Sequence, residues 1–229
     1  MKLIDVHNHA LFGVDDGAKT IEESISMIDQ AIKNNIEELI LTPHFNKRNK
    51  SIDIVEENFN TLKELIKDKP IKIYLGREMR FYELEKKPIY YTMNATKYVL
   101  VEFDPIASSP IEEVCYSLMV RGYKPIVAHI ERYHYLTASD YNRIKKYAEF
   151  QVNADAVLGI SSMRKDYKIS KYLLKHKIAD YVGSDAHDTT KRKNNLLKAY
   201  KRIKRKYGNQ YADYLFCENA KKITENPTV

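Results

Sequence analysis

Short apolar runs alternate along the chain with stretches whose apolar residues recur every three or four positions. The runs are "KLIDVH" (2–7), "EELILTP" (37–43), "IKIYLG" (71–76), "KYVLVEF" (97–103), "PIVAHI" (125–130), "FQVNA" (150–154) and "ADYVGSD" (179–185). Their length and β-branched content predict strands. Between most of them the period changes to that of a helix. Ile21, Ile25, Ile28 and Ile32 make one stripe, with Thr20 as N-cap and Glu23 completing a capping box. Ser109 as N-cap with Pro110 behind it predicts another helix start. "FNTLKELIKD" (59–68), "YNRIKKYAEF" (141–150) and "ISKYLLKHK" (169–177) predict further helices, and 191 to about 224 predicts two, broken near Gly208.

Strands that are nearly all followed by helices predict a parallel sheet. These strands are apolar throughout, as expected when both faces are covered. Seven such units close more naturally into a barrel than into an open sheet. The expected fold is therefore α/β, a distorted TIM-like (β/α)7 barrel forming a single domain over residues 1–229. No linker, repeat or low-complexity segment interrupts it, and 44% hydrophobic content suits one sizeable core.

A formal charge of +7 favours anionic partners: phosphate esters, acidic peptides, nucleic acid or anionic lipid. It does not choose among them. The two cysteines, Cys115 and Cys217, lack metal-ligand or redox spacing and read as reduced thiols. With no signal-peptide pattern and no run of membrane-spanning length, the expectation is a cytoplasmic protein without a membrane span.

The chemistry lies at the ends of the strands. His7 and His9, two apart on a strand, point the same way, and Asp5 shares their parity and is expected to orient one of them. "GSDAH" repeats the spacing with Asp185 and His187. The other strand ends supply His44 ("TPH"), Glu78 ("GRE"), Glu102 ("VEF"), and His129 with Arg132 ("AHIER"), while Asp16 lies in the first loop. In a barrel these ends converge on one face. A lone histidine at a strand end is more often a hydrogen-bonded structural residue, but five of the seven histidines fall at such ends together with three carboxylates, and Asp16 in the first loop adds a fourth. Mixed histidine and carboxylate donors suit Zn²⁺, Mn²⁺ or Fe²⁺ and argue against a sulfur-ligated structural site. Nine candidate ligands exceed the needs of one ion, so two or three divalent ions are expected. His134 and His176 read as surface residues.

Two motifs compete with this assignment. "CYSLMVR" (Cys115 to Arg121) has the Cys-x5-Arg spacing of thiol-based phosphatases. That chemistry needs backbone N–H groups cradling phosphate and an acidified thiol. This stretch lacks glycine and sits inside an apolar helical pattern, so Cys115 reads as core. In "KRKNNLLKAYKRIKRKYG", Leu196, Leu197, Tyr200 and Ile203 form a buried stripe and the basic residues a solvated face. The alternative is a docking surface for an acidic or membrane-proximal partner.

The segments "DVHNHALFGVDDGAKTIEES", "LTPH", "GREM", "VLVEF", "GYKPIVAHIERY" and "VGSDAH" resemble the PHP (polymerase and histidinol phosphatase) superfamily. They are most similar to its bacterial CpsB/YwqE-like protein-tyrosine phosphatases of capsule and exopolysaccharide loci. The resemblance implies a PHP-type barrel and three ion positions. His7, His9, Glu78 and Asp185 would hold one ion. Glu78 would bridge to a second, held also by Glu102 and His129. Asp16, His44 and His187 would hold the third. It implies Mn²⁺, with Fe, Co or Zn as alternatives, and phosphate binding by Arg132 and by a second basic residue, Arg192 at the expected distance or, as the alternative, Lys191 or Lys193. The implied substrate is phosphotyrosine on a tyrosine autokinase of polysaccharide export, attacked by a hydroxide formed from metal-bound water. Asp15 and Asp188 are the nearby candidates for a general acid. The competing readings are a small-molecule phosphatase acting on a histidinol-phosphate-like substrate, a metal-dependent nuclease, and a nucleic-acid-binding protein with a structural metal. A nucleic-acid partner is not expected, because nine ligands with arginines beside them exceed structural needs.

Overall fold

The computed structural model describes residues 2–46, 51–84 and 91–225. Among the described residues, nine strand segments fill seven positions around a curled parallel sheet. They are β1 (Leu3–Asn8), β2 (Ile36–Leu41), β3 (His44–Phe45), β4 (Lys72–Leu75), β5 (Glu78–Arg80), β6 (Tyr98–Glu102), β7 (Lys124–Val127), β8 (Glu149–Asn153) and β9 (Tyr181–Gly183). Hydrogen bonding runs β1-β2-β4 and β3-β5-β6-β7-β8-β9. Chain continuity joins the two groups, because β2 and β3 are one strand interrupted at Thr42-Pro43 and β4 and β5 one interrupted at Gly76-Arg77. Gly76 N–H donates to Leu41 O (2.8 Å) and Glu78 N–H to Pro43 O (3.2 Å), so the interruptions face each other. The ring closes at the carboxyl ends of β9 and β1. There Asp185 N–H donates to His7 O and His9 N–H to Ala186 O, both at 2.9 Å.

The helices are α1 (Ile21–Lys33), α2 (Asp53–Leu65), α3 (Ile111–Val120), α4 (Ala138–Ile144), α5 (Ala154–Leu158), α6 (Arg164–Lys175), α7 (Leu196–Tyr207), α8 (Asn209–Asp213) and α9 (Lys221–Thr224). The large outer core lies between strands and helices. A second apolar cluster, including Ile4, Val6, Ile40, Tyr98, Leu100, Ile126 and Tyr181, fills the ring interior. Along β6, Tyr98 and Leu100 belong to that cluster, and Glu102 follows at the same parity. The ring is thus apolar towards the strands' amino ends and polar towards their carboxyl ends.

Several local expectations are corrected. Thr20 caps α1 by accepting Glu23 N–H, but the Glu23 carboxylate accepts Lys19 N–H at 2.6 Å, so the capping box is only half formed. Pro110, not Ser109, is the N-cap of α3, and Ser109 Oγ instead accepts Asp104 N–H. The helix expected over 141–150 spans Ala138–Ile144, because its tail belongs to β8. The helix expected from 59 starts at Asp53, and the one expected from 169 starts at Arg164. The break at Gly208 separates α7 from α8, with Leu196, Tyr200 and Ile203 buried.

Candidate metal centre

β1 carries a register shift against β2 between Asp5 and Asn8. It allows Val6 to pack in the interior cluster while the next residue, His7, also faces inward. It also removes Asp5 from the histidine rings. Contrary to the parity expectation, Asp5 accepts backbone N–H groups of His7 (3.3 Å) and Ser184 (2.9 Å) and the Asn194 side chain (2.8 Å). It fastens β1 to the end of β9 instead.

Four side chains from the ends of two strand positions, β1 and β5, and from the loop after β9 converge. His7 Nε2 and His9 Nε2 lie 3.2 Å apart. His7 Nε2 is 3.4 Å from Glu78 Oε2 and 3.6 Å from Asp185 Oδ1, and His9 Nε2 is 3.5 Å from each. Such separations suit donors about 2.0–2.2 Å from a common ion. On one side, Glu78 Oε1 lies 2.8 Å from His129 Nε2, which is 3.9 Å from Glu102 Oε1. On the other, Asp16 Oδ1 lies 3.2 Å from His44 Nε2 and 3.4 Å from His187 Nε2. The structure therefore brings together all nine expected residues. Glu78 adjoins both flanking groups, since His44 Nδ1 is 2.8 Å from its Oε2.

The donor chemistry fits a cation. His187 Nε2, His44 Nδ1 and Glu78 Oε2 are buried and make no directed hydrogen bond to protein. Burial and the neighbouring His187 push His9 down to about 4, and burial with Arg132 does the same to His129, so both rings favour the neutral form. Burial opposes ionisation of Glu78 and Asp185, yet His7 and His44 beside the first and Arg132 beside the second hold them well below the usual carboxylate range. Glu102 is pushed up to about 7 by burial and by Glu78. Packing buried Glu78 and Asp185 beside the half-buried Glu102 is costly without positive partners. Two of these residues, His129 (φ 32°) and Asp185 (φ 52°), sit in the left-handed region, a backbone cost that recurs at functional sites.

The arginines stand at the edge. Arg132 Nη2 donates to Asp185 Oδ2 at 2.7 Å, and Arg192 reaches Asp185 (3.3 Å) and Asp16 (3.4 Å). Both line a cavity of about 440 Å³ that also meets Asp155, Ile160, Ser161 and Lys191.

Three sequence assignments change. Asp15 is buried, and its Oδ2 contacts His9 Nδ1 (2.7 Å) and accepts His44 N–H (2.9 Å). Asp188 accepts Thr190, Lys191 and Arg192 N–H groups, as a turn residue does. Both carboxylates are thus engaged as hydrogen-bond acceptors. His134 is only 22% exposed at its side chain and pairs with buried Asp166 at 2.6 Å. Sequence reasoning also missed Gln151 and Asn153 on β8, which contact His7 (3.1 Å) and Asp185 (2.9 Å). Two amide side chains at alternate positions of an otherwise apolar strand were the available signal.

Known proteins resemble this chain in sequence and fold. A family model described as "Capsular polysaccharide synthesis, CpsB/CapC" matches residues 3–225. The tyrosine-protein phosphatase CpsB of Streptococcus agalactiae is 32% identical, covering 98% of this chain and 99% of its own. The tyrosine-protein phosphatase YwqE of Bacillus subtilis is 31% identical, covering 99% and 93%. A solved structure from work on YwqE of Bacillus subtilis and CpsB of Streptococcus pneumoniae, described as unique metal-dependent tyrosine phosphatases, superposes with a TM-score of 0.89. It is 29% identical, and the match covers 99% of this chain and 96% of that one. With the family model matching from the first strand to the last helix, this chain belongs to the CpsB/CapC family.

Proposed function

We propose that this protein is a metal-dependent protein-tyrosine phosphatase whose ions sit at the carboxyl ends of the barrel strands. The observation that carries this is the convergence of His7, His9, Glu78 and Asp185 donors within 3.2–3.6 Å, with two arginines beside them. The phosphatase names of the relatives support it. His7, His9, Glu78 and Asp185 would hold one ion. Glu78, Glu102 and His129 would hold a second, and Asp16, His44 and His187 a third, with Mn²⁺ as the expected metal and Fe, Co or Zn as alternatives. Bound there, the ions supply positive charge and a water that ionises near neutral pH.

The chain's own residues do the rest. Arg132 and Arg192 face the cavity and offer planar forks of donors to the phosphoryl oxygens. They add most where negative charge accumulates in the transition state. Asp15 fixes the ring of His9. The tyrosine leaving group, with a pKa of about 10, departs without a strong general acid, which fits the engagement of both Asp15 and Asp188 in hydrogen bonds. The family description suits a substrate such as a cytoplasmic tyrosine kinase domain of polysaccharide export. No helix among the described residues is long and apolar enough to cross a membrane.

The test is phosphate release from a phosphotyrosine peptide, a phosphoserine peptide and histidinol phosphate, beside cleavage of DNA, each with and without chelator. Chelator-sensitive turnover on the phosphotyrosine peptide, at least tenfold above the others in kcat/KM, is expected. Preference for histidinol phosphate or DNA would contradict the proposal.

A further inference from the structure

β8 supplies none of the nine candidate ligands, yet its inward-facing side chains touch three of the residues that do. Gln151 Oε1 lies 2.8 Å from His129 N and 3.1 Å from His7 Nδ1. Gln151 Nε2 donates to Asn153 Oδ1 at 2.8 Å, and Asn153 Nδ2 donates to Asp185 Oδ2 at 2.9 Å. The polarity of this chain is fixed at one end. A backbone N–H can only donate, so the Gln151 atom facing His129 N must be the carbonyl oxygen. The same oxygen then requires an N–H on His7 Nδ1. In the neutral ring that a cation requires, Nε2 then keeps its lone pair, facing His9, Glu78 and Asp185.

The packing around this contact is specific. A Cβ on Gly183 of β9 would lie 2.8 Å from His7 Cβ and 3.0 Å from Gln151 Nε2. Only a glycine lets the β8 amide sit against the β1 histidine there. Gln151 itself is fully buried, so bulk solvent does not reach its oxygen.

From this geometry we infer that Gln151 is a positioning residue that locks His7 in the tautomer needed to bind a cation and, through Asn153, orients Asp185. The inference rests on the proposed metal centre. Hydrogen bonds of this kind to ligating histidines are worth about 10–100-fold in metal affinity.

The test uses the full chain as wild type, Gln151→Met, which keeps length without an acceptor, and Gln151→Glu, which keeps the acceptor. Metal stoichiometry, Mn²⁺ and Zn²⁺ dissociation constants by chelator competition, and thermal unfolding of the metal-free form are measured. Gln151→Met should weaken the tightest ion by roughly 10–100-fold, and Gln151→Glu should bind about fivefold or more tighter than Gln151→Met, on the same scale. A purely structural role would lower the metal-free Tm and leave the dissociation constant alone. Binding by Gln151→Met within about twofold of wild type, or no recovery in Gln151→Glu, overturns the inference, on that scale of effect. Should Gln151→Met not fold, long-range ¹⁵N NMR of zinc-loaded wild type decides. Nδ1–H with metal at Nε2 of His7 is expected, and the opposite tautomer refutes it. A wild type that binds no divalent ion sinks the metal centre itself, a different failure from a metal-binding wild type indifferent to Gln151.

Discussion

Arg132 Nη2 donates to Asp185 Oδ2 at 2.7 Å, so the arginine that follows "HIE" pairs across the ring with a residue just beyond β9 and not with its neighbour Glu131. Asp185 Oδ2 is also held by Asn153, and its Oδ1 faces His7 and His9. Arg132 therefore touches the candidate centre on its cavity side without being the sole support of the carboxylate.

Arg132→Ala should cut kcat/KM for a phosphotyrosine peptide by about 10²-fold or more, the scale of losing one charged transition-state contact. Metal content should stay near wild type, because Asn153 still holds Asp185. Arg132→Lys should recover only part, since an ammonium lacks the planar two-donor fork. Steady-state kinetics beside metal analysis and thermal unfolding checks this. Near-wild-type kinetics in Arg132→Ala, or activity lost only with metal or fold, would remove the arginine from phosphate binding.

Cys115→Ser should leave turnover within a few-fold of wild type. Cys115 is fully buried in α3, and burial pushes its thiol well above the ordinary range. The native protein should accordingly resist iodoacetamide at this position until it is unfolded. A loss of about 10³-fold in folded Cys115→Ser, equal to about 4 kcal/mol, would revive thiol chemistry.

Gly17→Ala should damage the loop that carries Asp15 and Asp16. A Cβ at Gly17 would stand 2.0 Å from the carbonyl oxygen of His9, a backbone atom that no rotamer change can move aside. The loop must shift, and overpacking of this kind costs about 1–3 kcal/mol. We expect a lower Tm together with loss of one ion from the Asp16, His44 and His187 group. Unchanged Tm and full metal content would show that the loop absorbs the methyl group.

The candidate centre was legible in the sequence because a strand alternates its side chains and a barrel gathers its strand ends. His44, Glu78, Glu102 and Asp185 could each be placed from those two rules. Interruptions were harder to see. Pro43 and Gly76 split two strands without disturbing the apolar pattern, and the shift in β1 moved Asp5 from the expected ring contact to backbone N–H groups. Glu23 likewise kept its capping spacing but bonded Lys19 N–H, because local spacing does not choose between adjacent donors. Gln151 and Asn153 escaped notice because amides carry no charge or metal-ligand signature, and their importance lies in what β1 and β9 place opposite them.

The most direct measurement of the central claim is metal-resolved turnover on a phosphotyrosine peptide. The protein is stripped until elemental analysis finds no divalent ion, then titrated with Mn²⁺, Co²⁺, Zn²⁺ or Fe²⁺ while phosphate release and bound metal are recorded together. Loss of activity on stripping is expected, with recovery that follows the filling of two or three sites per chain. Full phosphotyrosine hydrolysis by verified metal-free protein would contradict the account.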